Sequence, residues 1–162
     1  MDSGTLAWDT VGAGEPGGKM MDGEGRREGP SSTAAVELRV AAELGNLAVL
    51  RTLVGAVGTF SDLDFDAVAD LRLAVDEACT RLIRSAIPGA TLVVVVDPRE
   101  DVVVVEASTE CETDDVVTPG SFSWHVLSSL THDLQTFGDG HAMGDGRIFG
   151  ITLTTRRAGA TR

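Results

Sequence analysis

The sequence predicts an α/β fold of the α+β type, a two-layer sandwich in which helices cover one face of a mixed sheet. Three observations lead to this class. Apolar and polar residues alternate through Val36, Leu38 and Val40, as in a half-buried strand. Two segments then repeat apolar residues at helical spacing, and later segments are rich in β-branched residues. The expected element order is therefore β-α-α-β-β-α-β-β.

Caps and apolar spacing predict the first two helices. The first follows Asn46, a candidate N-cap, and its apolar face comprises Leu47, Leu50, Val54 and Val57. The second follows Ser61, another candidate N-cap, and ends before Pro88-Gly89. Its apolar stripe comprises Val68, Leu71, Val75, Ala78 and Leu82.

The remaining elements are two hairpins with a helix between them. Leu92 to Val96 and Val102 to Val105 predict a hairpin that is buried on both faces. Thr118 with Pro119 predicts the N-cap and first turn of a third helix, whose apolar residues are Val126, Leu127 and Leu130. The last hairpin is expected to pair Leu134 to Phe137 with Ile148 to Thr154, across the glycine-rich loop from Gly138 to Gly146.

Composition divides the chain into one domain and two tails. Residues 1-33 are rich in glycine and poor in large apolar groups, so they are expected to form a disordered N-terminal tail. Residues 34-157 form the expected domain, and residues 158-162 a short tail. With 162 residues and 43% hydrophobic content, the chain can build one core.

Charge and cysteine content exclude several classes of function. The 25 acidic and 13 basic residues give a formal charge of -12, which disfavours nucleic acid and suits a basic protein partner. Cys79 and Cys111 fit neither a disulfide framework nor a zinc site. No apolar run approaches the roughly 20 residues that span a bilayer, and the first thirty residues lack a signal-peptide core. We expect a soluble, cytoplasmic protein that binds neither nucleic acid nor membrane.

One helical segment carries a family resemblance. Leu71 to Arg81 reads LRLAVDEACTR and resembles the N-box helix of the anti-sigma-factor serine kinases, which reads roughly "AVxEAxTN". These kinases form the RsbW-like branch of the Bergerat, or histidine-kinase-type, ATP-binding fold. The likeness extends over residues 36 to 157, with a late helix ending near Asp133-Leu134 where the family has "DEV". It is closest to actinobacterial anti-sigma-F factors.

The resemblance implies a transcriptional regulator. Such a protein binds an alternative sigma factor, blocks its access to RNA polymerase core, and releases it when an anti-anti-sigma protein competes. Family members commonly form homodimers. In active members, ATP drives phosphorylation of a serine on the anti-anti-sigma protein.

Carrying the family's site residues onto this chain gives a degenerate nucleotide pocket. Glu77 falls on the catalytic base and is expected to be vestigial, whereas Arg81 replaces the magnesium-binding Asn. Because a cation cannot ligate Mg²⁺, magnesium binding is doubtful and ATP or GTP binding is expected to be weak. The family's adenine-reading Asp and nearby Gly, and its phosphate-loop glycines, fall on Thr109, Cys111, Ser121 and Ser123. Each added Cβ in that loop narrows the approach of phosphate.

The candidate site residues can also be interpreted as structural residues with no ligand or partner. Glu77 and Arg81 have the spacing of an ordinary (i, i+4) ion pair, although Arg81 is also suited to bind nucleotide phosphates in place of the metal. Arg51, on the first helix, is either a solvated charge or a partner-binding residue, as the resemblance implies. Cys111 is expected in a loop where it is accessible. The glycine-rich loop and the three histidines show no metal-ligand pattern.

Three functions follow from these alternatives. The leading prediction is a stoichiometric anti-sigma factor on a degraded kinase scaffold. The alternative within the family is an active ATP-dependent serine kinase that uses Glu77 as its base. Outside the family, the sequence also suits a small acidic adaptor domain with a different protein partner.

Overall fold

The computed structural model describes residues 33–139 and 146–160. Most of the expected N-terminal tail and residues 140–145 of the glycine-rich loop lie outside the described residues. The predicted element order is confirmed. The elements are β1 (Val36–Ala41), a 3-10 turn (Leu44–Asn46), α1 (Leu47–Phe60), α2 (Phe65–Ser85), β2 (Thr91–Pro98), β3 (Val102–Cys111), α3 (Phe122–Leu130), β4 (Asp133–Asp139) and β5 (Arg147–Arg156).

The five strands form one sheet in the order β1-β2-β3-β5-β4. All four pairings are antiparallel, so the expectation of a mixed sheet is wrong. The reason is the place of β5. Strands β3 and β4 run in the same direction, but β5 lies between them and pairs with both, so parallel strands never become neighbours. The predicted two-layer α+β arrangement is confirmed.

The hydrophobic core lies between the three helices and one face of the sheet. Alternate strand residues enter this core, among them Leu92, Val94, Val96, Val103, Val105, Ile151 and Leu153. The intervening residues Val93, Val95 and Val104 are only half-buried on the opposite face. The prediction that the β2-β3 hairpin is buried on both faces is therefore wrong. Within residues 33–139 and 146–160, the helices cover one side of the sheet.

Helix α2 is the central element of the helical layer. Its buried face comprises Leu71, Ala74, Val75, Ala78, Cys79, Leu82 and Ile83, and each large aliphatic side chain there contributes about 1.5–3 kcal/mol. Asp64 is its N-cap, since Oδ1 of Asp64 accepts a hydrogen bond from the Ala67 amide at 2.8 Å. Ser61, the predicted cap, instead ends α1 and donates its hydroxyl to the Val57 carbonyl at 2.6 Å.

Asn46 does stand at the predicted N-cap position of α1 but forms no side-chain capping bond, and the prediction of Thr118 as the cap of α3 is wrong. Asn46 lies in the 3-10 turn with helical backbone angles, and its side-chain amide donates to the Ala41 carbonyl at 2.8 Å. Thr118 begins a turn closed by a 3.0 Å bond from the Ser121 amide, with Gly120 at a φ of 85°. Ser121 is the true N-cap of α3 and accepts from the Trp124 amide. The helix ends at Leu130, before the predicted end near residue 133.

A glycine on the open face of the sheet is covered by an aromatic ring. Gly150 in β5 lies opposite Phe137 in β4, and a Cβ on Gly150 would overlap the Phe137 ring. Glycine is therefore required here by close approach and not by backbone angle. Separately, no helix among residues 33–139 and 146–160 combines the length and the apolar character needed to cross a bilayer.

We expect Gly150→Ala to lower the free energy of unfolding by about 1–3 kcal/mol, because the added methyl group must displace the Phe137 ring. Gly45→Ala is the matched control, since a Cβ at Gly45 meets nothing within 4 Å. Urea unfolding of both variants measures the difference. Equal stability of the two variants would contradict the proposed contact.

Candidate functional site

The candidate site lies along the polar edge of α2, where this helix faces α1 and α3. Burial of Ala78 and Leu82 fixes the rotation of α2, so that Asp76 and Glu77 are directed toward the flanking helices. The site is therefore positioned by packing.

Glu77 is held by two hydrogen bonds. Its Oε1 atom accepts from Nε of Arg81 at 2.9 Å and from Oγ of Ser123 at 2.9 Å. The predicted (i, i+4) ion pair is thus present, and α3 adds a partner 46 residues away in sequence. The Glu77 side chain is 27% exposed and that of Arg81 is 40% exposed. This cluster joins α2 to α3.

The cluster also changes the acidity of the carboxyl group. Partial burial raises the pKa of Glu77, whereas the hydrogen bonds from Arg81 and Ser123 lower it. The positive charges of Arg81 and Arg84 lower it further. The lowering outweighs the burial, and the pKa of Glu77 lies below its ordinary value of 4.5. A carboxylate so stabilised is a weak general base.

The residues at this site do not fit a magnesium ion. Arg81, which the resemblance places at a metal-ligand position, carries no oxygen donor, and its guanidinium already donates to the Glu77 carboxylate. Among the described residues, no group of three or more His, Cys, Asp or Glu side chains is arranged to hold a metal.

Neither Thr109 nor Cys111 forms a hydrogen bond with Glu77, Arg81 or Ser123. Both are buried on β3, where Oγ1 of Thr109 donates to the Thr91 carbonyl at 2.9 Å. The expectation that Cys111 lies in an accessible loop is wrong, because β3 continues to this residue and pairs with Arg147. Burial raises the pKa of Cys111 to about 11 and is the main cause that raises that of Cys79 to about 12. Neither thiol is poised as a nucleophile.

Ser121 and Ser123 have different roles at the start of α3. Ser121 caps the helix, and Ser123 donates to Glu77 from the first turn. Phe122, between them, is 78% exposed. Both hydroxyl groups therefore form hydrogen bonds within the protein itself.

Arg51, on α1, contacts the opposite side of α2 from Ser123. Its Nε atom donates to Oδ1 of Asp76 at 2.5 Å, which links α1 to α2. The Arg51 side chain remains 45% exposed, so it is also available to a partner. Asp76 was not predicted as a site residue, because no local pattern pairs residues 25 positions apart on two helices. Asp76 is adjacent to Glu77 on the polar edge of α2, and this adjacency could have indicated that it belongs to the site.

We expect the stability that Glu77 contributes to be fully present above its ordinary pKa of 4.5 and to be lost as pH falls through its lower folded-state value. Carbon-detected NMR titration of the carboxyl group measures that pKa. Ser123→Ala should raise it and lower the free energy of unfolding by about 1 kcal/mol. Ser128→Ala, on the exposed face of α3, is the control. An identical pKa in the wild type and Ser123→Ala would contradict the cluster.

Comparison with known proteins identifies the family. No protein-family model matches the chain. The chain is similar to the proteins named "Anti-sigma-F factor RsbW" in two strains of Mycobacterium tuberculosis. In each case 62% of residues are identical over 167 aligned positions, which cover all of this chain and 98% of the relative. Identity at this level over the full length means that the chain belongs to the RsbW family of anti-sigma-F factors.

Proposed function

We propose that this chain is an anti-sigma factor that sequesters an alternative sigma factor and thereby represses the genes which that sigma factor transcribes. The observation that carries the proposal is 62% identity along the whole chain to anti-sigma-F factors. An anti-anti-sigma protein is proposed to relieve the inhibition by competing for the same surface, and the chain is proposed to act as a homodimer.

The geometry supports stoichiometric binding over catalysis. The carboxylate at the family's base position is bonded to a guanidinium and to a serine hydroxyl, and its pKa is lowered. A kinase needs that carboxylate free to accept a proton and needs a metal on the phosphates. The active-kinase alternative is therefore not favoured.

The exposed side of α1 is the proposed contact for the sigma factor. Arg51 is the only charged residue in this 14-residue helix. Around it, the solvent side carries Ala48, Val49, Thr52 and Ala56. A solvent-facing helix with one charge amid small and apolar groups has the composition of an interface centre, and a half-exposed Arg suits it as an anchor.

Overall charge supports a partner with a basic surface. The chain carries a formal charge of -12, which raises the rate of encounter with positively charged proteins. Because α1 itself is nearly uncharged, the acidic residues elsewhere on the surface attract the partner, and α1 makes the close contact with it. The association rate should therefore fall as salt is added. The dissociation rate should change little, because it depends on the apolar contact.

We expect Arg51→Ala to weaken sigma-factor binding about 10-fold or more, because it removes the one charged anchor on α1. Its effect on the free energy of unfolding should stay below about 1 kcal/mol, since the lost ion pair is partly exposed. Titration calorimetry against a panel of alternative sigma factors, beside urea unfolding, measures both.

Arg147→Ala is the matched control for this variant. Arg147 also forms an exposed ion pair, with Asp114, but it lies on β5 away from α1. Its removal should leave the affinity unchanged. Equal affinities for Arg51→Ala and the wild type would refute the α1 contact, and failure of every sigma factor to bind the wild type would refute the proposed function.

We further propose that ATP or GTP binds weakly and without help from Mg²⁺, with the Arg81 guanidinium serving the phosphates. Titrations of each nucleotide with and without Mg²⁺ should give the same weak affinity, and Arg81→Asn should reduce it. Labelled ATP should leave no phosphate on an anti-anti-sigma protein. Tight binding that requires Mg²⁺, or incorporated label, would support the kinase alternative instead.

A further inference from the structure

An apolar groove lies where the described part of the chain begins. It has a volume of about 560 Å³, and its apolar lining includes Ala34, Val36, Ala56, Val57 and Phe60. Phe60, the last residue of α1, is 89% exposed at this groove. A large exposed aromatic side chain beside an apolar groove marks a binding surface. Because Ala34 lines the groove, the segment that precedes the described residues enters the domain at this surface.

The walls of the groove are held together by Arg157. Its Nε atom donates to the Ser61 carbonyl at the end of α1, at 2.6 Å. Its Nη1 atom donates to the Arg99 carbonyl, between β2 and β3, at 2.8 Å. Ser61, Arg99 and Arg157 all belong to the lining. The groove is therefore preformed, and a ligand that enters it need not order its walls.

The groove also differs in charge from the chain as a whole. The formal charge of the chain is -12, but the lining carries two basic residues, Arg99 and Arg157, against one acidic residue, Glu100. The Arg99 side chain remains 43% exposed while its Nε atom donates to the buried Asp97. The groove thus suits an apolar ligand with an acidic group beside it.

The sequence before Ala34 contains a segment of this kind. Residues 6–9 read LAWD, and Trp8 is the only aromatic residue in the sequence of residues 1–33. Residues 1–12 include the acids Asp2 and Asp9 and no Lys or Arg. An indole ring buries a large apolar area with few rotatable bonds, so Trp8 is the best anchor that this part of the chain offers.

We propose that the N-terminal segment folds back onto its own chain, with Leu6 and Trp8 in the groove and Asp9 beside Arg99. Trp8 precedes Ala34 by 26 positions, and seven of residues 12–29 are glycine. A glycine-rich linker of this length has a root-mean-square span of roughly 25–30 Å. It holds the two partners at an effective concentration on the order of millimolar, so even a weak contact is populated within one chain.

Met20 and Met21 are the other apolar pair in this part of the sequence, and they are less suited to the groove. Lys19 precedes them directly, which places a positive charge next to the arginines of the lining. Methionine side chains also lose more rotamer freedom on burial than an indole ring does. The pair therefore serves as a matched control.

The docked segment covers part of α1. Ala56 lines the groove and also belongs to the exposed side of α1 that is proposed to contact the sigma factor. Because two ligands cannot cover one residue at once, the segment competes with the sigma factor and lowers its apparent affinity. This regulatory consequence rests on the proposed function, whereas docking of the segment is tested on the isolated chain.

Fluorescence of the full-length chain tests the docking. The chain has two tryptophans, so Trp124→Phe leaves Trp8 as the only one. Its emission should lie at shorter wavelength, and acrylamide should quench it less, than in the urea-unfolded chain. Adding Phe60→Asp should move both readings to the unfolded values. In the native background, Trp8→Phe should remove the same short-wavelength emission, which guards against damage by Trp124→Phe.

Phe65→Asp is the matched control for Phe60→Asp. Phe65 begins α2 and is 88% exposed, but it does not line the groove. It should leave Trp8 emission unchanged, and circular dichroism checks that each variant is folded. Trp8 emission equal to that of the unfolded chain, or an equal response to the two Phe variants, would overturn the docking. Emission that changes on dilution would place the segment on a second copy and overturn docking within one chain.

Titration calorimetry tests the competition. Leu6→Ser with Trp8→Ser should tighten sigma-factor binding about 3- to 10-fold, because the docked fraction no longer lowers the apparent affinity. Met20→Ser with Met21→Ser should bind as the wild type does. Equal affinities for the first variant and the wild type would overturn the competition. If the wild type binds no sigma factor, the proposed function fails, and the Trp8 emission still decides whether the segment is docked.

Discussion

The structure depends on the burial of one face of α2 against β3 and β5, with α1 and α3 on its flanks. A helix has a fixed period, so burying Ala78 and Leu82 leaves no freedom in the directions of the polar residues between them. Asp76 must meet α1 and Glu77 must meet α3. The ion pair to Arg51 and the cluster with Ser123 are both consequences of that packing. The polar contacts then fix how the flanking helices sit on α2.

The sequence predicts the order of elements because hydrophobic periodicity is a local property of each segment. Helix boundaries were predicted less well, since Ser61 and Thr118 are each acceptable caps by local rules although Asp64 and Ser121 are the caps that form. Turn geometry decides between them and the true caps: Ser61, for example, closes α1 one turn too early to begin α2. The sheet was mispredicted as mixed because the pairing of β5 with β3 joins strands that are distant in sequence. No single segment carries that information.

The candidate site likewise has a part that could be predicted from the sequence and a part that could not. The Glu77-Arg81 pair follows from four-residue spacing on one helix, and it is present. The bond from Ser123 joins residues 46 positions apart and could not be predicted from spacing. The burial of Cys111 could have been predicted from the sequence, because the alternation through Val103 and Val105 continues to residue 111 on the same face of the strand. Polar residues after Val105 concealed the length of β3.

The hydrogen bonds among Arg81, Glu77 and Ser123 form a structural contact between α2 and α3. Once the Arg81 guanidinium and Ser123 hydroxyl stabilise the ionised Glu77, the carboxylate serves to hold α3 against α2. The exposed side of α1 takes no part in this cluster. A basic partner attracted by the formal charge of -12 would make its close contact on the nearly uncharged exposed side of α1, so that charge sets the rate of encounter while the apolar contact sets the lifetime of the complex.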